Sequence, residues 1–445
     1  MNMRNLIGAL LLLWTTVVTA QDMFTVTRYS THDGMPHNLT QCYAQDRQGF
    51  LWIGTRNGLS RFDGITFHNY KTSPRDEVRM NSNRIKYVWA SSTDRIWIQT
   101  FDYQIYLLDP KTQRFHIPIG EIQTTSRTKV YTLQGGITYV LKDYRSLFRF
   151  EENTPDFLGD GYRPLRLEET DGSFYSVFRD SYGREWIMGS RGLSLLRGDT
   201  LCSVSPVVYD KMWETGGYLL LASKRGEIAT LLTDGAETLH GQGSTADGPS
   251  GIRIVALAHC PPDFAEIFPV DNGAFLIKTG TGIWLYRLDG GALGQPEQLW
   301  DGPTPRDKEL LMGSDGTFWA FNAQGDLARR DPYTHETETL PCPHTSRKQG
   351  EKSVRVLHED RQGHIWALTD EGLLCHYNEE RQRMEPATWH QSTGVHQYVE
   401  RVRYFYSDRD RNLWLSTTNG MDLVTCRPLE FEWVGTTMGE EAGET

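Results

Sequence analysis

Short runs of apolar, β-branched and aromatic residues alternate along this chain with turns rich in Asp, Asn and Gly. Residues 39–45, 50–55, 59–62 and 66–70 read as four successive strands, separated by Asp-Arg-Gln-Gly, Arg-Asn-Gly and Asp-Gly-Ile turns. No window keeps a 3.6-residue apolar period across three turns, which sets aside helical bundles and helical solenoids. Four short strands joined by tight turns predict one small antiparallel sheet.

That unit returns. Asp46-Arg-Gln-Gly-Phe-Leu-Trp52 is followed by Asp180-Ser-Tyr-Gly-Arg-Glu-Trp186, Asp360-Arg-Gln-Gly-His-Ile-Trp366 and Asp408-Arg-Asp-Arg-Asn-Leu-Trp414. Weaker copies centre on Trp97, Phe275 and Trp319, and eroded ones on Tyr139 and Leu220. These anchors stand about 45 residues apart, the spacing of propeller blades, and nine such units predict an all-β protein. Within each unit the Asp is placed to accept backbone N–H groups of its own turn, and Gly49 supplies a positive φ. Trp52, Trp97, Trp186, Trp319, Trp366 and Trp414 are expected at equivalent buried positions between blades, so the repeat motif reads as architecture rather than as a working site.

The first twenty residues differ from the rest. Arg4 precedes an apolar run from Leu6 to Val18 that ends at Val18-Thr19-Ala20. A helix of that run spans about 20 Å, short of a ~30 Å hydrocarbon core. Residues 1–20 therefore read as a secretory signal peptide, and the remainder as exported, with no segment that spans a membrane. A net charge of −11 argues against nucleic acid as a partner. Cys42, Cys202, Cys260, Cys342, Cys375 and Cys426 are too dispersed for a zinc site or a dense disulfide framework. Most read as buried free thiols, with one or two long-range disulfides as the alternative.

Asp33-Gly-Met-Pro-His-Asn38, followed by Asp46 to Thr55 and by Gly58-Leu-Ser-Arg-Phe-Asp-Gly64, resembles the periplasmic sensor region of Bacteroidetes hybrid two-component systems. The resemblance covers residues 24 to about 434. It implies repeats of the two-component-regulator propeller type, arranged in that family as two seven-bladed propellers. A Y_Y_Y domain, a membrane helix, a histidine kinase, receivers and a DNA-binding domain follow there. On that pattern residues 21–345 form a first β-propeller of about seven four-stranded blades, and residues 346–445 the first two blades of an incomplete second one. The polar stretch from Pro341 to Lys352 suits the boundary, and an unpaired edge is expected after the unit at Trp414. The resemblance further implies glycan fragments as ligands, and as partners the remainder of a sensor kinase or a second copy of the chain.

The chain holds no H-E-x-x-H, no G-x-S-x-G and no phosphate-cradling glycine loop, so no catalytic residue, metal ligand or cofactor is assigned. His335, His344, His358 and His364 read as loop or surface histidines. Ser314-Asp-Gly-Thr-Phe-Trp319 resembles the Asp-box of sialidase-type propellers, a structural turn, and a glycan-active hydrolase or lyase is the alternative reading. A purely structural or protein-binding propeller is a third. For a sensor, ligand contacts are expected on the loops between second and third strands and on the connections entering first strands. These hold His37, Asn38, Arg56, Asn57, Asn83, Arg84, Phe101, Tyr103 and Arg191. Arg and Asn offer donors to hydroxyls and carboxylates, and aromatic faces stack on sugar rings.

Overall fold

The computed structural model describes residues 24–426 apart from 73–79, 119–123, 160, 217, 224, 234–251, 260–263, 271–272, 290–291, 344–354, 361, 392–393 and 411. The proposed signal peptide at 1–20 lies outside the described residues. In the first unit the strands run Thr40–Gln45, Leu51–Thr55, Gly58–Phe62 and Phe67–Tyr70, within a residue of their expected limits. We call them A to D. They pair in that order, antiparallel throughout. The same A-to-D pattern recurs as blades 1 to 9, spanning 40–70, 85–116, 129–168, 174–205, 211–259, 264–301, 310–340, 356–386 and 404–426. Among the described residues the helical elements are two 3₁₀ turns, Thr31–Asp33 and Asp307–Glu309.

First strands of neighbouring blades contact one another, which makes A the innermost strand. The apolar side chains pack between blades rather than in one central core. Nine clusters result, each joining consecutive sheets; one, for example, unites Trp52 and Leu59 of blade 1 with Ile85, Ile96 and Tyr106 of blade 2. All six anchor tryptophans are buried, as are Phe275 of a weaker copy and Tyr139 and Leu220 of the eroded ones. Gly54 sits at such a junction. A Cβ there would stand 2.5 Å from Cys42 Sγ and 2.7 Å from Ile85 Cγ2, so glycine lets the next blade's inner strand close up. The described cysteines Cys42, Cys202, Cys342 and Cys375 are free, and burial pushes the Cys342 thiol up to about 12.

The Asp of the repeat does more than shape its turn. Asp46 Oδ1 accepts the amides of Gln48 and Phe50 at 3.0 Å, while Oδ2 accepts Trp52 Nε1–H at 2.7 Å. Asp180 with Trp186, Asp360 with Trp366 and Asp408 with Trp414 repeat the arrangement at 2.7–3.0 Å. One carboxylate thereby satisfies both the turn and the only polar atom of a buried indole. Gly49, at φ 94°, completes the turn.

Ring closure differs from the seven-plus-two expectation. Blade 9 takes its outermost strand from the start of the chain: Phe24–Tyr29 pairs antiparallel with Met421–Cys426, Phe24 opposite Cys426 and Tyr29 opposite Met421. The edge expected to stay open after Trp414 is therefore occupied. Arg28 clamps Asp422 through Nε and Nη2, both at 2.8 Å, and Tyr398 Oη–H reaches the same fully buried carboxylate at 2.8 Å. A mixed core of Met35, Leu51, Ile53, Phe62, Trp414 and Met421 then joins blade 9 to blade 1, making one nine-bladed ring. The expected division after residue 345 falls in 344–354, outside the described residues. On either side of it, Trp319, Phe321 and Leu340 pack with Leu357, Ile365 and Cys375 in a single core. Phe24–Tyr29 lies outside the repeat pattern because its partner lies at the other end of the chain.

Candidate functional site

Antiparallel pairing puts the B–C turns and the D-to-A connections on one face of the ring, and the A–B and C–D turns on the other. All nine residues singled out from the sequence lie on the first face. The turn and connection are stitched together there. The Arg56 amide donates to the Leu39 carbonyl at 3.2 Å, the Gly58 amide to Asn83 at 2.7 Å and the Phe101 amide to Arg84 at 2.9 Å. The structure thus brings Arg56, Asn57, Asn83, Arg84, Phe101 and Tyr103 together across blades 1 and 2. Arg84 is exposed, with its guanidinium carbon 3.7 Å from the Phe101 ring centroid, and Lys86 Nζ lies 4.3 Å from that of Tyr103. Tyr103 holds a left-handed φ of 68°.

The other three are spoken for or set apart. His37 Nδ1 accepts the Leu39 amide at 2.9 Å and Asn38 Oδ1 that of Thr31 at 2.7 Å, so both shape their own connection. Arg191, in blade 4, is exposed but pairs with Glu169 at 3.1 Å. Of the histidines read as bland, His335 lies 2.7 Å from Glu297 and His364 3.0 Å from Asp360. Among the described residues no group of three His, Cys, Asp or Glu side chains could hold a metal ion.

The opposite face carries what the sequence reading did not single out. Its A–B turns grip one another around the ring. The Arg409 amide donates to Gln45 at 2.7 Å, the Arg47 amide to Asp94 at 3.0 Å, Arg47 Nη1 to the Ser92 carbonyl at 3.0 Å, and Ser92 Oγ to the Leu133 carbonyl at 3.1 Å. Between these turns lies a polar cavity of about 990 Å³ that spans blades 9, 1, 2 and 3. Blade 2 has Ser91 where the motif has Asp, and the missing carboxylate is supplied across the blade boundary. Glu152 of blade 3, 1% exposed, accepts Trp97 Nε1–H at 2.7 Å and the Ser91 and Thr138 hydroxyls at 2.6 Å, and also binds Thr93. Blade 3 follows suit. Its Tyr139 hydroxyl donates to Glu185 of blade 4, which Arg149 also grips at 2.7 and 2.9 Å. Burial alone would raise the Glu185 pKa, but the bonds from Arg149 and Tyr139 outweigh it and hold the carboxyl below its usual range.

Residues 34–57, the entry connection and first hairpin of blade 1, match the family model described as "Two component regulator propeller". The chain resembles the sensor propellers of two-component systems. "Histidine kinase P4" of Formosa agariphila is 36% identical over 58 residues, which is 13% of this chain and 4% of that protein. The solved extracellular domain ascribed to a one component system of B. thetaiotaomicron is 14% identical, with a TM-score of 0.36 over 89% of this chain and 57% of that one. Virginiamycin B lyase from Staphylococcus aureus is 10% identical, with a TM-score of 0.34 over 90% of this chain and 99% of the enzyme. At these scores neither solved structure bears on ligand or activity. The match to the kinase touches only a small part of its length. Among the described residues no helix is long and apolar enough to cross a membrane.

Proposed function

We propose that the chain is the periplasmic ligand-sensing propeller of a hybrid two-component signalling system, that it recognises glycan fragments, and that it has no catalytic output of its own. A signal peptide at 1–20 delivers it. Its output passes through the remainder of a sensor kinase or through a second copy of the chain. The repeat match at 34–57 supports the sensor assignment. The observation that carries ligand recognition is the cluster on the B–C face of blades 1 and 2, where Arg84 lies on Phe101 and Lys86 on Tyr103, on the same face as exposed Arg56. Such pairs present a flat ring together with fixed donors, the two features that a pyranose with its hydroxyls calls for. His37, Asn38, Asn57, Asn83 and Arg191 extend the same face.

Each hydroxyl bond replaces one with water and contributes about 1 kcal/mol net, so modest affinity is expected. Calorimetry against a panel of neutral and acidic oligosaccharides tests the reading. Binding should weaken in Arg56→Ala and Tyr103→Ala while the melting temperature stays near that of the parent. Release of reducing ends from any glycan, abolished by a single Asp or Glu substitution, would instead make the chain an enzyme.

A further inference from the structure

The cavity on the A–B face has a chemical bias. Its carboxylates are already used. Asp46 and Glu152 are buried and occupied by indole, hydroxyl and amide donors, Asp94 accepts the Arg47 amide, and Asp109 accepts that of Lys111 at 2.9 Å. These bonds leave the carboxylate charges in place, and the lining cations in turn bond mostly to uncharged groups. Lys111 is exposed, and Arg47, also exposed, spends its guanidinium on an uncharged carbonyl. Arg61 and Arg95 lie 4.6 Å and 4.9 Å over Phe50 and Phe157, and the buried Nε–H of each meets no acceptor among the described residues. Arg95 Nη1 donates to the Glu152 carbonyl at 2.9 Å and to the Thr93 hydroxyl at 3.1 Å, and stands 4.0 Å from the Glu152 carboxylate. In a chain with a net charge of −11, the five cations Arg47, Arg61, Arg95, Lys111 and Arg409 thus outnumber the four hydrogen-bonded carboxylates in one concave site that also carries hydroxyls. Its volume stands near the top of the range for small-ligand pockets, about 300–1,000 Å³, enough for several linked rings.

We propose that this cavity is a second binding site, on the face opposite the Arg84–Phe101 cluster, and that it takes a short acidic oligosaccharide bearing carboxylate or sulfate groups. The proposal rests on the ligand-sensing reading above and adds to it a site and a charge. Arg47 and Lys111 supply the charge recognition at the rim, and Arg61 and Arg95 the deeper guanidinium planes. Ser92, Gln134 and Asn153 line the same walls and suit uncharged hydroxyls.

Calorimetry on the full chain with tetragalacturonate, a carrageenan-derived sulfated tetrasaccharide and cellotetraose decides it. At least one acidic probe should bind tenfold or more tighter than cellotetraose, and its affinity should fall several-fold between 50 and 200 mM NaCl as the charges are screened. Which acidic probe prevails identifies the charged group. Lys111→Glu, at an exposed turn, and Arg47→Ala should each lower that affinity at least fivefold, while Tyr333→Ala, at an exposed turn of blade 7, leaves it unchanged. Equal binding of the neutral and acidic probes overturns the proposal, as does acidic binding that survives Lys111→Glu. If Arg56→Ala removes binding and Lys111→Glu does not, the cavity is excluded and the sensor reading stands. If no probe binds, the cavity proposal falls, and a null result extending to the whole panel of the preceding section brings down the sensor reading too.

Discussion

Blades 1, 4, 8 and 9 hold their anchor tryptophan with an aspartate six residues earlier in the same blade. Blade 2 holds its Trp97, and blade 3 its Tyr139, with a glutamate from the next one. The difference teaches which part of the motif is physically required. A buried indole N–H or phenol must meet an acceptor, and where Ser91 has replaced the local Asp the ring recruits Glu152 instead. The two solutions are not equivalent. A carboxylate within one blade stiffens that blade, whereas Glu152 ties blade 2 to blade 3 and Glu185 ties blade 3 to blade 4. Blade 7 has neither: Gly313 stands where the Asp would be, and Trp319 Nε1 is buried with no partner among the described residues.

Deleting the anchor itself should have the largest effect and should not discriminate between the two kinds of blade. Trp52→Ala and Trp97→Ala are each expected to cost about 3–5 kcal/mol, visible as a drop of several degrees in the melting temperature. Removing the acceptor should separate them. Glu152→Ala strands four side-chain donors in two blades and is expected to cost about 3 kcal/mol or more, exceeding Asp46→Ala. Ser91→Asp in the Glu152→Ala background restores the in-blade arrangement and should recover part of the loss for Trp97. Failure of any rescue would show that the two solutions are not interchangeable.

Acid should weaken both kinds of carboxylate. Desolvation raises the pKa values of Asp360 and Glu185, but the bonds from His364 and Trp366, and from Arg149 and Tyr139, bring each below its ordinary value. A depressed folded-state pKa contributes stability above the unfolded values, about 3.9 for Asp and 4.3 for Glu, that is lost as pH falls through the folded ones. Melting temperatures measured from pH 6 downward should therefore decline, and Glu185→Gln should flatten part of that decline. The smallest effect belongs to the blade with no acceptor. Trp319→Phe removes a buried N–H that has no partner among the described residues and should cost less than Trp52→Phe, which leaves Asp46 Oδ2 unanswered, by about 1 kcal/mol. Equal costs would place an acceptor near Trp319 Nε1.

The repeat, its period and the nine anchors were legible because each unit folds on local signals. An Asp-to-Gly turn, a two-residue B–C turn and alternating strands need only neighbouring residues. The B–C face residues were legible for the same reason, since Arg56 and Phe101 follow directly from strand ends. What was not legible depends on residues brought together by the ring. Phe24–Tyr29 alternates like any strand, and nothing near it names residues 421–426 as its partner. Glu152 reads as the end of a strand until Trp97, 55 residues away, is seen to donate to it. The cavity of the A–B face has no local signature in the sequence, because it draws on four blades at once.

Closing the ring with the chain's own beginning imposes an order on folding. The Arg28–Asp422 clamp joins residues 394 positions apart. Loop closure on that scale forms late, because nearly every other contact is more local. The stretch that leaves the ribosome early must stay unpaired until blade 9 is made. During that interval blade 9's Met421–Cys426 strand and the Phe24–Tyr29 strand are both exposed edges awaiting each other. Two molecules at this stage could exchange first strands, each completing the other's last blade, so the same clasp that seals one ring is also the element by which concentrated, half-folded chains would interlock.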